Sequence, residues 1–142
     1  MKTSMLLALL AFMAGSEPAL AGTRVLALLT SDNNEAQAFT FILANQMQAS
    51  GHQVDVLLCG PAGDIAILTP PESALAPVTP QGASVRKLTE TLMAQGGKVS
   101  VCAIYLPNRK KTPETLMPGV AVANPKVMAA AIADPAVKVF GQ

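Results

Sequence analysis

Two cysteines and one basic loop hold most of the reactive potential of this 142-residue chain. Cys102 lies in an apolar run, Val99-Ser100-Val101-Cys102-Ala103-Ile104-Tyr105, and Arg109, Lys110 and Lys111 follow it seven to nine residues later. The thiolate is the nucleophilic form of cysteine, and nearby positive charge and helix-start amides favour it. The spacing therefore sets a thiol beneath a basic loop, which suits nucleophilic sulfur chemistry with the three cations stabilising the anion. A strand cysteine acting as a small buried hydrophobe is the competing reading. Cys59 ends a second apolar run and enters the turn Gly60-Pro61-Ala62-Gly63, whose glycines let backbone N–H groups face an anion or a neighbouring thiol. That turn lacks the spacing of a phosphate-binding loop or a dinucleotide fingerprint, and it reads first as a plain strand-to-loop turn.

Other chemistry is poorly supplied. His52, the single histidine, follows the helix-ending Gly51 and reads as a surface residue leading into a strand. Two Cys and one His spread over fifty residues match no zinc pattern, so no metal site is expected, and no cofactor motif or serine nucleophile elbow is present. Asp32, Asn33 and Asn34 are accounted for by helix capping. Lys plus Arg number 10 against 9 Asp plus Glu, so the net charge of +1 provides no field for nucleic acid or an anionic membrane. With no Trp, one Tyr and four Phe, the chain also lacks platforms for stacking bases or sugars. Hydrophobic residues at 51% and charged residues at 13% call for one well-buried domain.

Lys2 precedes an apolar run from Met5 to Ala14, and Ala19-Leu20-Ala21 has the small-x-small form cut by signal peptidase. Residues 1–21 are therefore read as a secretory signal peptide and 22–142 as a single domain delivered to the periplasm. The apolar run is well short of the roughly 20 residues that span a bilayer, so no membrane insertion is expected after cleavage. Gly22 rather than Cys follows the cut, which does not indicate a lipid anchor.

Thr23–Thr30 is almost continuously apolar, as in a strand covered on both faces. Asp32 with Glu35 can cap a helix whose Ala36, Phe39, Leu43 and Met47 share one side, with Ile42 beside them, until Gly51 ends it. Val54–Cys59 is a second strand. Residues 60–82, interrupted by five prolines, read as a functional loop with one helical turn near Asp64–Leu68. A helix carrying Val85, Leu88, Leu92 and Met93 on one side ends at Gly96-Gly97, and Val99–Tyr105 is the third strand. Asn108–Lys111 is a basic loop, Thr112-Pro113 and Asn124-Pro125 are helix starts, and Val137–Phe140 is a short last strand. The pattern predicts an α/β three-layer sandwich around a mostly parallel sheet with flavodoxin-like winding, strand order 2-1-3 and then later strands, with binding at the carboxyl ends.

An oxidising compartment makes a disulfide the default for two cysteines. In a 2-1-3 order, however, the second and third strands flank the first, placing the two Cα atoms roughly 9 to 10 Å apart. A disulfide needs about 7 Å or less, so two free thiols are expected.

Gly51-His52-Gln53-Val54 entering an apolar strand, Leu58-Cys59-Gly60-Pro61-Ala62-Gly63, and above all Val99-Ser100-Val101-Cys102-Ala103 leading to Asn108-Arg109-Lys110 resemble the DsrE/DsrF-like family of small sulfur-relay proteins. The likeness covers nearly all of residues 22–142. It implies that Cys102, on the strand equivalent to the family's cysteine strand, accepts sulfane sulfur as a persulfide and passes it to an acceptor protein, as a sulfurtransferase-like carrier. It also implies that the basic loop supplies the positive surround and that subunits form homo-oligomers, trimers or hexamers. The best-known members act in the cytoplasm, whereas this chain reads as exported, which takes it away from transfer RNA chemistry. Because members without the cysteine exist, the alternative is a non-catalytic binding or assembly module with Cys102 structural, engaging a partner through residues 60–82 and 106–124.

Overall fold

Arg24–Leu29 forms strand β1, and Val25, Leu26, Ala27 and Leu29 are all buried, as a strand sandwiched between two layers requires. The computed structural model describes residues 22–80 and 82–141, so the expected leader, residues 1–21, lies outside the described residues. Helix α1 (Asn34–Ala49) follows, with Asn33 rather than Asp32 as its cap: the Asn33 side-chain oxygen accepts the Ala36 N–H at 2.9 Å. The chain then turns at Gly51 with φ +88, a conformation that costs a side-chain-bearing residue energy, and enters β2 (Gln53–Leu58).

The stretch expected as a loop is more ordered than its prolines suggest. A 3-10 segment runs from Gly60 to Ala66, started by Pro61, whose fixed φ suits the first turn of a helix. Helix α2 (Glu72–Leu75) and a small hairpin, β3 (Pro77–Val78) with β4 (Ala83–Ser84), follow it. Helix α3 (Val85–Ala94) is capped by Ser84, whose hydroxyl accepts the Lys87 N–H at 3.2 Å. Strand β5 is only Lys98–Val101, shorter than the predicted Val99–Tyr105. The chain turns just after Cys102, where the Tyr105 N–H donates to the Cys102 carbonyl, and continues as α4 (Tyr105–Asn108). Thr112-Pro113 starts only a 3-10 turn, Pro113–Thr115. Strand β6 (Ala121–Val122) is too short to leave a periodic signal, whereas Asn124 caps α5 (Pro125–Ala133) as its sequence indicates, and β7 (Val137–Gly141) ends the sheet.

All five strands of the main sheet are parallel, in the order β6-β5-β2-β1-β7, with helices on both faces. This is the expected mostly parallel α/β sandwich, with one correction: β2, not β1, sits between the strands carrying the first and third apolar runs. The cause lies in the layers. Ala38, Phe41 and Ala44 of α1 and Val85 and Leu92 of α3 join one buried cluster, on one face of the sheet. Successive right-handed crossovers over the same face step the chain in one direction, from β1 to β2 to β5. Helix α5 packs through Met128 and Ala131 against the other face, so its crossover steps back and delivers β7 beside β1.

The face of α1 also differs from the expected one. Ala38, Phe41 and Ala44 are buried with the polar Gln37, Thr40 and Asn45, while Phe39 and Leu43 are exposed. Thr40 and Asn45 can lie inside because their side chains donate to the carbonyls of Ala36, at 3.0 Å, and of Phe41 and Leu88, at 2.8 and 2.9 Å. Small residues, and polar side chains whose donors find backbone carbonyls, let α1 approach the sheet and α3 closely even though the Asn45 side-chain oxygen is left without a partner, and this packing overrides the apolar stripe.

Candidate functional site

The parallel ladder continues one residue beyond its strands, and both sulfurs sit there. Leu58 pairs in register with Val101, the Cys102 N–H donates to the Leu58 carbonyl at 2.9 Å, and the Cys59 N–H donates to the Leu29 carbonyl at 2.9 Å. Cys59 and Cys102 therefore face each other across neighbouring strands, and both side chains pack toward the α5 side. The separation argument for unpaired thiols is thus overturned, since it placed a strand between them. Both cysteines are nevertheless unbonded.

This arrangement pushes the Cys59 thiol up to about 12, first by burial, then by the hydrogen bond to Cys102 and by the like charge an anionic Cys102 sulfur would present, with the Cys102 backbone acting in the opposite sense. The consequence for stability is alkaline. As pH rises past 9.0, the ordinary Cys59 value, the unfolded chain loses this proton while the folded chain keeps it until about 12, so stability falls across that window. Urea midpoints measured through it should decline, and should decline less in Cys59→Ser; an equal decline in both proteins would assign the effect to other groups.

Cys102 is half-buried and forms part of the wall of an apolar cleft of about 330 Å³, with Leu57, Ile104, Ala123, Met128 and Ile132. Ile104 at its mouth is 68% exposed. The α5 side of this cleft is brought to Cys102 by topology, and no spacing along the chain links Met128 or Ile132 to it.

The basic loop is placed differently from a ring around the sulfur. Arg109 pairs with Asp64 at 3.7 Å, and the Tyr105 hydroxyl donates to the same carboxylate at 2.8 Å. Burial and that bond to Asp64 raise the Tyr105 phenol above its usual range, and Arg109 moderates the rise. Lys110 is exposed at φ +51, and the Lys111 N–H closes the turn on the Leu106 carbonyl at 2.9 Å. Among the described residues no hydrogen bond or ion pair joins these three cations to either sulfur.

Gly60, at φ +56, turns the chain out of the sheet right after Cys59. Gly63 is required sterically: a Cβ there would run into the Tyr105 ring. Asp64 and Tyr105, 41 residues apart, thus clamp the segment after Cys59 to the segment after Cys102. Nothing in the sequence marks this contact. Among the described residues, no group of three or more His, Cys, Asp or Glu could hold a metal ion, and no helix is long and apolar enough to cross a membrane.

A parallel five-stranded sheet sandwiched by helices, with a thiol pair at its carboxyl ends, defines a flavodoxin-like α/β protein whose two cysteines lie where such folds place ligands. Two solved structures share the architecture. The YchN protein from E. coli matches with a TM-score of 0.65 and 17% identity, over 83% of this chain and 99% of that one. MTH1491, a protein of unknown function from Methanobacterium thermoautotrophicum, matches with a TM-score of 0.65 and 13% identity, over 84% of this chain and 99% of that one. At these identities the likeness is one of fold. No family model and no curated protein matches the sequence.

Proposed function

We propose that this chain is a sulfur carrier that holds sulfane sulfur as a persulfide on Cys102 and hands it to a partner's thiol. The observation that carries the reading is the position of Cys102, half-buried at the carboxyl end of β5 on the wall of a cleft. In the loading step the Cys102 thiolate bonds to the outer sulfur of a donor such as thiosulfate. The donor's S–S bond breaks and sulfite leaves with its electron pair. In the unloading step an acceptor thiolate bonds to the terminal persulfide sulfur, and Cys102 leaves as the thiolate. Oxidation states balance because the sulfane atom passes from sulfite to the Cys102 thiolate and then from Cys102 to the acceptor thiolate, each leaving group keeping the electron pair of the broken S–S bond. Lys110 and Lys111 add positive charge at this end of the sheet, while Arg109 shares its charge with Asp64.

The leader expected at residues 1–21 would place this chemistry in the periplasm, with the donor and the acceptor protein both exported. Exposed Ile104, Val122, Val127 and Ile132 offer the apolar area on which copies of the chain would assemble as trimers or hexamers. A net charge of +1 leaves nucleic acid without an electrostatic claim.

Incubating the protein, reduced and freed of reductant, with thiosulfate or polysulfide should add sulfur to its intact mass, one atom at a time, and Cys102→Ser should abolish the gain. An unchanged mass in Cys59→Ser, where no second thiol can expel the sulfur, or an equal gain in Cys102→Ser, would remove Cys102 from this role. To keep a persulfide from being lost before detection, the same loading is followed in Cys59→Ser.

A further inference from the structure

We propose that Cys59 is the resolving thiol for Cys102: it attacks the Cys102 Sγ once that sulfur carries an adduct, closes a Cys59–Cys102 disulfide and expels the adduct's sulfur. The inference rests on Cys102 being the reactive sulfur, as in the carrier reading, and extends its substrates from sulfane compounds to disulfides.

The geometry is that of register neighbours. Leu58 and Val101 pair, and the hydrogen bonds made by Cys59 and Cys102 carry the ladder one step further. Strands so paired lie about 4.8 Å apart. Disulfides span roughly 4.4 to 6.8 Å between Cα atoms, so the step between these strands falls inside the bonding range. Both side chains pack on the same face, toward the α5 side. Each cysteine is the last residue before its chain leaves the sheet, through Gly60 on one side and the turn to Tyr105 on the other. A small adjustment for bond formation therefore disturbs no further rung of the ladder.

The surroundings also set the order of events. Burial, the Cys102 hydrogen bond and Cys102 charge keep Cys59 protonated while Cys102 is free. Once Cys102 is bonded to an outside sulfur, its thiol can no longer act on Cys59, and burial is what remains of the rise. Cys102 therefore reacts first and Cys59 second. With a disulfide R–S–S–R, Cys102 thiolate bonds to one sulfur and the other leaves as a thiolate. Cys59 then releases its proton to solvent and bonds to Cys102 Sγ, and the adduct's S–S bond breaks with its electron pair on the second thiolate. The cysteine pair loses two electrons and the outside disulfide gains them. With a persulfide on Cys102, the same attack releases hydrosulfide.

The test uses an aromatic disulfide, dithiobis(nitrobenzoate), on the reduced full chain, read by released nitrothiobenzoate and intact mass. The native protein is expected to release two equivalents, to retain no adduct and to lose two hydrogens. Cys59→Ser is expected to release one equivalent and keep one adduct on Cys102, and Cys59→Ala serves where the serine variant fails to fold. A native protein that keeps one stable adduct, or takes two, overturns the proposal, as does one in which neither sulfur reacts. Failure of the carrier reading alone looks different: the aromatic disulfide reacts as expected, yet thiosulfate and polysulfide leave no sulfur on Cys102 of Cys59→Ser.

Discussion

Phe41→Ala is expected to lower the free energy of unfolding by about 4 kcal/mol, enough to remove much of the stability of a domain this size. Phe41 is 0% exposed and belongs to the cluster that joins α1 to the sheet and to α3. Truncation deletes its buried ring and leaves a void that Ala38 and Ala44, already small, cannot fill. Phe39→Ala supplies the control. Phe39 is 52% exposed, so its loss should change stability by less than about 1 kcal/mol. Urea denaturation of both variants reads the difference directly. Equal costs at the two positions would mean that α1 is rotated about its axis from the orientation described.

Gly63→Ala should cost about 3 kcal/mol, at the upper end of what overpacking usually costs. The added methyl would meet ring carbons of Tyr105, a residue 2% exposed and bonded through its hydroxyl to Asp64. The ring has no free space to enter, and moving it forfeits the Asp64 bond. Because Gly63 follows Cys59 by four residues and Tyr105 follows Cys102 by three, the methyl acts as a wedge between the two segments that hold the sulfurs. The variant should therefore close the Cys59–Cys102 disulfide more slowly as well as unfold at lower urea. Tyr105→Phe keeps the ring carbons and should not rescue it. A Gly63→Ala protein as stable as the parent would show that the ring yields freely and that the clamp is loose.

The layers of the fold were legible because the longer strands are short apolar runs bounded by a capping residue or glycine, as at Thr23–Thr30, and because Asn124-Pro125 marks a helix start. The order of the strands was not. It depends on which face each helix covers, and the apolar stripe of α1 pointed to Phe39 and Leu43, which the structure leaves in solvent. Cys102 stood out by residue type and by its place at a strand end. Its partnership with Cys59 was hidden, since contact between strands is a property of topology and not of spacing along the chain. The Tyr105–Asp64–Arg109 clamp was hidden for the same reason, and it drew Arg109 into an ion pair that the run of three basic residues does not reveal.

Neither sulfur is among the buried residues of the two apolar clusters; each only rests against them. Folding energy and the thiols are therefore held by different side chains. A descendant of this chain could lose both thiols and keep its architecture, so kinship of shape among such proteins says little about which of them carry such a pair.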